Sequence, residues 1–161
     1  EAAHTAGDQR AVLPTDSQKQ TIFAYAATHS GGSVEDYGLA LARHFVDDIG
    51  PVSSARIEIE DFPWERVGDH PHTWTRTGPE VRTAAITVTG AGDTRREWVV
   101  AGLKDLVVLK STGSGFAGFL EDPFTVLEPT DDRVLATSLV ARWRYADTAA
   151  AWDRTYAASG R

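Results

Sequence analysis

Apolar residues recur every three or four positions in two stretches of the first third of the chain, which predicts two amphipathic helices. The first follows Thr15-Asp16-Ser17, whose side-chain oxygens suit a helix N-cap, and the pair Gly31-Gly32 ends it. Ser33, or one of the acidic residues after it, can cap the second helix, and Gly50-Pro51 stops it. The predicted buried positions are Ile22, Phe23, Ala26 and Ala27 in the first helix, and Val34, Tyr37, Leu41, Phe45 and Ile49 in the second.

From residue 52 onward apolar and polar residues mostly alternate, which indicates β-strands with one buried side. The pattern predicts strands over residues 52–67, 74–89, 95–111 and 131–145, followed by a short helix over 147–159. The positions predicted to face the core include Ile57, Ile59, Phe62 and Trp64 in the first strand, and Val134, Thr137, Leu139, Ala141 and Trp143 in the last. Helices grouped apart from a run of strands are typical of an α+β fold, with helices packed on one face of an antiparallel sheet.

Composition narrows the class of protein. The net charge of −7, spread along the 161 residues without a basic run, argues against nucleic acid and against an anionic membrane surface as partners. The absence of cysteine excludes disulfides, thiolate metal sites and cysteine nucleophiles. The chain also has no methionine, so it does not begin at its own start codon. We therefore expect a processed protein or a segment of a longer one, cut at both ends.

Residues 106–133 carry the clearest candidate chemistry. A strand ending at Lys110 leads into a turn of small polar residues, then two aromatic residues, and finally an arginine. Phe116 offers a flat face on which a planar ring can stack. Arg133 carries a rigid, always-charged fork of donors that suits the edge of a planar ligand and supplies the positive charge that an anionic ligand needs. The pair predicts a site for a small heteroaromatic molecule.

Each candidate residue also has a purely structural explanation. A threonine at position 15 is a good helix N-cap, with no further role required. Phe116 can be a core aromatic in a loop between strands. Arg133 can be a solvated arginine at a strand start, paired with Asp131 or Asp132. Pattern alone leaves both explanations open for all three.

Two other motifs suggest chemistry that we do not expect. Asp69-His70-Pro71-His72 offers imidazole and carboxylate ligands, but three donors within four residues rarely converge on one ion, so we predict no metal. The glycine-rich residues 113–118 lack the Gly-Lys-Ser/Thr ending of a phosphate loop and precede no strong helix, so we predict no nucleotide.

The spacing across residues 110–133 resembles the signature of the urate oxidase (uricase) family. The matching pattern is Lys110-Ser111-Thr112-x-Ser114-x-Phe116-x2-Phe119-x4-Phe124-x2-Leu127-x5-Arg133. Residues 13–26 resemble the family segment that carries the catalytic threonine, and residues 130–145 resemble the strand that carries the substrate arginine. Residues 69–76 resemble the family's histidine-rich approach to a strand. The resemblance thus extends over essentially the whole chain.

This resemblance implies a tunnelling fold, in which an antiparallel sheet is backed by helices on one face, in a family that carries two such domains in tandem. It assigns residues 1–130 to most of the first domain, without its first strands, and residues 131–161 to the start of the second. It further implies a homotetramer with sites at subunit interfaces, located in the cytoplasm or, in a eukaryote, the peroxisome.

The resemblance also implies a reaction, the oxidation of urate by dioxygen to 5-hydroxyisourate and hydrogen peroxide in purine degradation, with no metal or organic cofactor. Phe116 matches the residue that stacks on the purine, and Arg133 matches the one that grips the pyrimidine-side carbonyl and nitrogen. Thr15 matches the catalytic threonine of the proton relay, and Asp16 matches the neighbour whose backbone amide meets the five-membered ring. In the family, the residues that match Thr15 and Asp16 come from one subunit. Those that match Phe116 and Arg133 come from the next.

The expected site is incomplete within this chain. The family's catalytic lysine matches a position upstream of Glu1, and its glutamine, asparagine and histidine match positions beyond Arg161. We therefore expect the segment alone to be inactive. The competing interpretation is a non-catalytic or degenerate purine-binding or assembly module of the same fold. A third interpretation is a pterin-type enzyme of the same fold. Those enzymes usually anchor the ring with a glutamate and often use zinc, and the sequence shows no matching set of residues.

Overall fold

The computed structural model describes residues 1–29 and 32–159. The helices are α1 (Ala2–Thr5), α2 (Thr15–His29), α3 (Val34–Asp47) and α4 (Trp152–Ser159), with a 3-10 turn at Gly92–Thr94. The strands are β1 (Ser54–Asp61), β2 (Trp64–Arg66), β3 (Trp74–Arg76), β4 (Val81–Thr89), β5 (Arg96–Lys110) and β6 (Leu135–Arg144). None of the helices described is both long and apolar enough to cross a membrane.

Two sheets organise the strands. A four-stranded sheet has the order β1-β4-β5-β6, and β2 pairs with β3 in a separate two-stranded sheet. In the larger sheet β1 and β4 are antiparallel, with Ile57 opposite Ile86. By contact density the chain forms two compact units: a first unit of Glu1–Phe62, Arg82–Gly102 and Arg142–Arg161, and a second unit of Pro63–Val81 and Leu103–Ala141. The tandem-domain boundary at residue 131 stays a prediction.

Helix α3 supplies the helical side of the core in the first unit. The predicted cap is confirmed: the Ser33 hydroxyl accepts a hydrogen bond from the Asp36 amide, and Glu35 and Asp36 add negative charge to the first turn. The apolar face of α3 then packs against the sheet. The buried cluster consists of Leu39, Ala42 and Val46 of α3, Ala84, Ile86 and Val88 of β4, Val99 of β5 and Trp152 of α4. A helix on one face of a sheet is the arrangement that the pattern predicted.

Helix α2 forms where it was predicted but packs differently. None of its side chains is buried, and the ring of Phe23, predicted to face the core, is 64% exposed. The first helical hydrogen bond runs from the Gln18 amide to the Pro14 carbonyl, which makes Thr15 the first helical residue rather than the N-cap. The predicted buried face is therefore wrong. Gly31, one half of the predicted stop, lies outside the described residues.

Two predicted strands are each divided in two. The first ends at Asp61, and Phe62 and Trp64 are exposed, so their predicted burial is wrong. Pro63 has no amide to donate to a ladder, and the following residues instead pair with Trp74–Arg76. The predicted strand over 74–89 is likewise interrupted: it ends at Arg76 and resumes at Val81, and Pro79 lies in the gap. In the last strand, which begins at Leu135, Val134, Leu139 and Ala141 are exposed, so their predicted burial is wrong.

The contact between α3 and the sheet depends on Gly38. A Cβ at this position would overlap Cδ1 of Ile86 and lie 3.1 Å from Cδ1 of Ile59. We predict that Gly38→Ala lowers the free energy of unfolding by roughly 1–2 kcal/mol, because overpacking outweighs the gain in helix propensity. Urea titration measures it, with Gly50→Ala, which meets no atom within 4 Å, as the matched control. If the clash is the cause, Gly38→Ala costs less stability when it is introduced into an Ile86→Val background than into the wild type. An equal cost in both backgrounds would exclude the clash.

Candidate functional site

Phe116 is fixed in the loop that follows β5 by a two-way backbone bridge. Its amide donates to the Thr130 carbonyl at 2.7 Å, and the Thr130 amide donates to the Phe116 carbonyl at 3.0 Å. The chain can approach this closely because residue 115 is glycine: a Cβ there would lie 2.7 Å from the carbonyl oxygen of Asp131. The bridge brings two segments together that are 14 residues apart in sequence, and Arg133 follows it by three residues.

The structure brings Phe116 and Arg133 together. The guanidinium carbon of Arg133 lies 5.6 Å from the centroid of the Phe116 ring, within the range of a cation–π contact. Phe116 also stacks on Phe119, with centroids 5.0 Å apart and planes inclined by 13°. The Phe116 residue nevertheless remains 44% exposed. An aromatic face and a planar donor fork are therefore both available at one place in the second unit.

The Asp132 carboxylate faces the loop rather than the guanidinium of its neighbour Arg133. One carboxylate oxygen accepts a hydrogen bond from the Thr112 hydroxyl at 2.6 Å, and the other accepts from the Ser114 amide at 3.2 Å. The bonds from Thr112 and then Ser114 hold the pKa of Asp132 below its usual range. Arg133 makes no ion pair with any carboxylate in the described part of the chain. The structural explanation that paired Arg133 with an adjacent aspartate is therefore not what the structure shows.

This arrangement of Asp132 was missed in the sequence. Aspartate was considered only as an ion-pair partner of Arg133. Thr112 and Ser114 lie in a small-polar turn, a setting in which side chains of this kind commonly bond to nearby backbone and to each other. That composition signals a hydrogen-bonded turn, but the partner from a segment 18 to 20 residues away is visible only in three dimensions.

Thr15 and Asp16 lie at the start of α2, in the first unit. Both are exposed, and the Thr15 hydroxyl makes no hydrogen bond to another described residue. The Asp16 carboxylate lies 3.2 Å from Nζ of Lys19, and both of these side chains are exposed. Amides in the first turn of a helix have no partner within that helix, so the Asp16 amide is a donor suited to an anionic or electron-rich ligand atom. The roles of Thr15 and Asp16, and their pairing with Phe116 and Arg133 of another protomer, stay predictions.

The histidine-rich segment does not form a metal-binding cluster among the residues that the structure describes. No group of three His, Asp or Glu side chains in those ranges is arranged to hold an ion. His70 Nδ1 instead accepts a hydrogen bond from the His72 amide at 3.3 Å and lies 2.7 Å from the Thr73 hydroxyl. The segment therefore forms a hydrogen-bonded turn of its own.

Comparison with known proteins adds independent evidence. The family model described as Uricase matches residues 2–87 and 99–160. Uricase of Arthrobacter globiformis is 43% identical over 157 residues, covering 98% of this chain and 50% of the relative. Uricase of Danio rerio is 33% identical over 156 residues, covering 94% of this chain and 51% of the relative. The chain spans about half the length of the curated relatives it matches.

Solved structures agree with the sequence relatives. The crystal structure of Arthrobacter globiformis uricase matches with a TM-score of 0.78 at 43% identity, covering 98% of this chain and 53% of that one. A structure of Bacillus sp. TB-90 urate oxidase matches with a TM-score of 0.74 at 25% identity, covering 91% of this chain and 51% of that one. The antiparallel sheet with helices packed on it is an α+β tunnelling fold, as predicted. Within that class, the chain belongs to the uricase family.

Proposed function

We propose that the protein to which this chain belongs is a urate oxidase. In the proposed reaction urate, dioxygen and water give 5-hydroxyisourate and hydrogen peroxide, so two electrons pass from the purine to dioxygen as one step of purine degradation. The observation that carries the proposal is the Phe116 ring beside the Arg133 guanidinium, 5.6 Å apart, at the positions of the family signature. The 43% identity to Arthrobacter globiformis uricase supports the same conclusion.

The substrate side of the proposal follows from charge and shape. Urate is a planar monoanion at neutral pH, and the chain carries a net charge of −7, so binding requires a local cation. In the proposed complex Phe116 stacks on the purine. Arg133 donates two parallel hydrogen bonds to the pyrimidine-side carbonyl and nitrogen, a geometry that lysine cannot supply. The lack of an ion-pair partner for Arg133 among the described residues supports this role, because no described carboxylate must be displaced.

The proton relay is proposed at Thr15. Urate must lose a second proton before it becomes electron-rich enough to reduce dioxygen. A threonine hydroxyl is a poor base unless a neighbour activates it, and in the uricase family a lysine does so. The Thr15 hydroxyl is not consumed by helix capping, which leaves it available for a relay. The Asp16 amide, in the same helical turn, is proposed to donate to the five-membered ring of urate.

The remaining features of the proposal concern the whole protein. We propose a homotetramer in which Thr15 and Asp16 of one subunit meet Phe116 and Arg133 of the next. No metal or organic cofactor is required, because the urate dianion itself supplies the electrons and dioxygen accepts them. The proposed location is the cytoplasm, or the peroxisome if the source is eukaryotic. Residues 1–130 and 131–161 are proposed to belong to successive tunnelling-fold domains.

Replacing Phe116 with alanine tests the stacking role. We predict that urate binding weakens by roughly 5- to 100-fold, the range expected for loss of one aromatic stacking partner. Urate binding is followed by calorimetry, and turnover by ultraviolet absorbance with peroxide detection and without added metal, on the full-length gene product. Leu120→Ala, in the same loop, outside the family signature and with a side chain that is 95% exposed, is the matched control and should behave as the wild type.

The wild-type assay separates the two candidate functions. Turnover with stoichiometric peroxide supports the oxidase. Urate binding without turnover in the full-length gene product would instead support a non-catalytic purine-binding module. Equal urate affinity in the wild type and in Phe116→Ala would contradict the proposed site in either case. The same measurements on the 161-residue chain test the expectation that this segment alone carries only part of the site.

A further inference from the structure

We infer that Asp132 is a positioning residue that holds Phe116 and Arg133 in one geometry and keeps the Arg133 guanidinium free for the ligand. The inference rests on the proposed function, since it concerns how the urate half-site is built. Asp132 itself is not placed against the substrate. It acts on the substrate only through Phe116 and Arg133.

The contacts of Asp132 join the two arms of the loop. Its carboxylate reaches back to Thr112 at 2.6 Å and to the Ser114 amide at 3.2 Å, both within four residues of Phe116. Its backbone carbonyl accepts from the Thr130 hydroxyl at 2.9 Å, and Thr130 is the bridge partner of Phe116. Arg133 is the next residue in the chain. These contacts therefore tie the backbone that carries the Phe116 ring to the backbone that carries Arg133.

Hydrophobic burial contributes little to closing the loop. Leu120 is 95% exposed and Val126 is 91% exposed, and the apolar contact that this segment makes is the stack of Phe119 on Phe116 itself. A loop with few buried apolar contacts opens easily unless polar contacts hold it. The Phe116–Thr130 bridge and the Asp132 hydrogen bonds are the contacts that close it. Charge-assisted hydrogen bonds such as those of Asp132 are the stronger kind.

The orientation of the carboxylate has a second consequence. An aspartate next to an arginine can pair with it and compete with an anionic ligand for the guanidinium. Here both carboxylate oxygens are engaged by Thr112 and Ser114, and Arg133 has no carboxylate partner in the described ranges. Removing the Thr112 hydroxyl would release one oxygen, which then competes for Arg133. Loss of either the Asp132 carboxylate or the Thr112 hydroxyl is thus expected to weaken ligand binding.

The test compares three variants of the full-length gene product in urate binding by calorimetry. Asp132→Ala and Thr112→Val are expected to lower the affinity for urate about tenfold or more, as loss of hydrogen bonds to a charged group predicts. Asp132→Asn keeps an acceptor for the Ser114 amide and is expected to fall between Asp132→Ala and the wild type. Asp131→Ala, one residue away, is the matched control and should bind urate as the wild type does.

Amide hydrogen exchange separates positioning from general stability. Faster exchange at Ser114 and Phe116 together with weaker urate binding supports the inference. Faster exchange with unchanged urate affinity in both Asp132→Ala and Thr112→Val would overturn it, leaving Asp132 a purely structural residue. If Asp132→Ala does not fold, Thr112→Val, which keeps the carboxylate, decides alone. Unchanged affinity in Phe116→Ala and Arg133→Ala would instead refute the proposed function, a result that the Asp132 variants cannot produce.

Discussion

Replacing Arg133 with alanine is expected to lower kcat/KM for urate by about 100-fold or more. Hydrogen bonds to a charged group contribute about 1.5–3 kcal/mol each, and a bidentate guanidinium makes two of them. Since 1.36 kcal/mol corresponds to a tenfold change in rate, the loss of both bonds spans at least two orders of magnitude. The measurement is initial urate consumption by the full-length gene product over a range of urate concentrations.

Two further variants sharpen the Arg133 test. Arg133→Lys keeps the charge but not the planar fork, so it is expected to recover only part of the activity. Arg142→Ala removes an exposed arginine from strand β6 and should leave kcat/KM unchanged, which controls for the overall loss of one positive charge. Near-normal turnover by Arg133→Ala would show that the substrate cation lies elsewhere.

The two large helices show what periodicity can and cannot predict. Both were predicted from the spacing of apolar residues, and both are present. Only α3 has a buried face, because its apolar residues meet the apolar side of β4. Helix α2 carries Phe23 and Ile22 at suitable spacing, yet both are exposed. Periodicity reports the local backbone, whereas burial depends on what another part of the fold, or another molecule, places against that face.

Strand boundaries were predicted less well than strand existence. Aromatic residues occur on both sides of each proline: Phe62 and Trp64 flank Pro63, and Trp74 precedes Pro79. The alternating pattern therefore continues through both prolines and does not mark where the strands end. A proline lacks the amide that a ladder needs, and the short strands around Trp64 and Trp74 pair with each other instead. Giving those prolines more weight would have predicted that the two long strands break there. The pairing itself could not be derived, because it joins segments through a turn of irregular sequence.

The candidate site was also predicted only in part. Phe116 and Arg133 were singled out from residue type and spacing, and the structure places them in contact. Thr15 was selected only through the family resemblance, since a threonine before a helix is by itself an ordinary capping residue. The Asp132 contacts were missed because they connect residues 18 to 20 positions apart, with no periodic pattern to mark them. Polar contacts between residues so far apart in sequence leave no pattern that a single sequence can show.

The buried ion pair of the first unit was also not predicted, and it gives the largest expected effect on stability. The Glu35 side chain is 0% exposed and lies 2.7 Å from Arg82, which also contacts Asp153 of α4 at 2.7 Å. Arg82→Ala is expected to lower the free energy of unfolding by about 3–5 kcal/mol, because it leaves a buried carboxylate uncompensated. Urea titration at neutral pH measures the loss. Arg56→Ala removes an exposed arginine paired with Glu58 and should cost about 1 kcal/mol or less.

The pH dependence of this loss identifies its cause. Burial raises the pKa of Glu35 above its usual range, and the nearby Arg82 partly opposes the shift. A carboxyl whose folded pKa exceeds its unfolded pKa contributes most to stability at low pH, and that contribution declines as pH rises through the folded pKa. Without Arg82 the folded pKa rises further, so the Arg82→Ala penalty should shrink as pH falls and Glu35 becomes protonated. Adding Glu35→Gln should recover part of the loss at neutral pH. A penalty that is constant with pH, and unaffected by Glu35→Gln, would instead assign the loss to the packing of the Arg82 side chain on Tyr156, whose ring centroid lies 4.5 Å from the guanidinium.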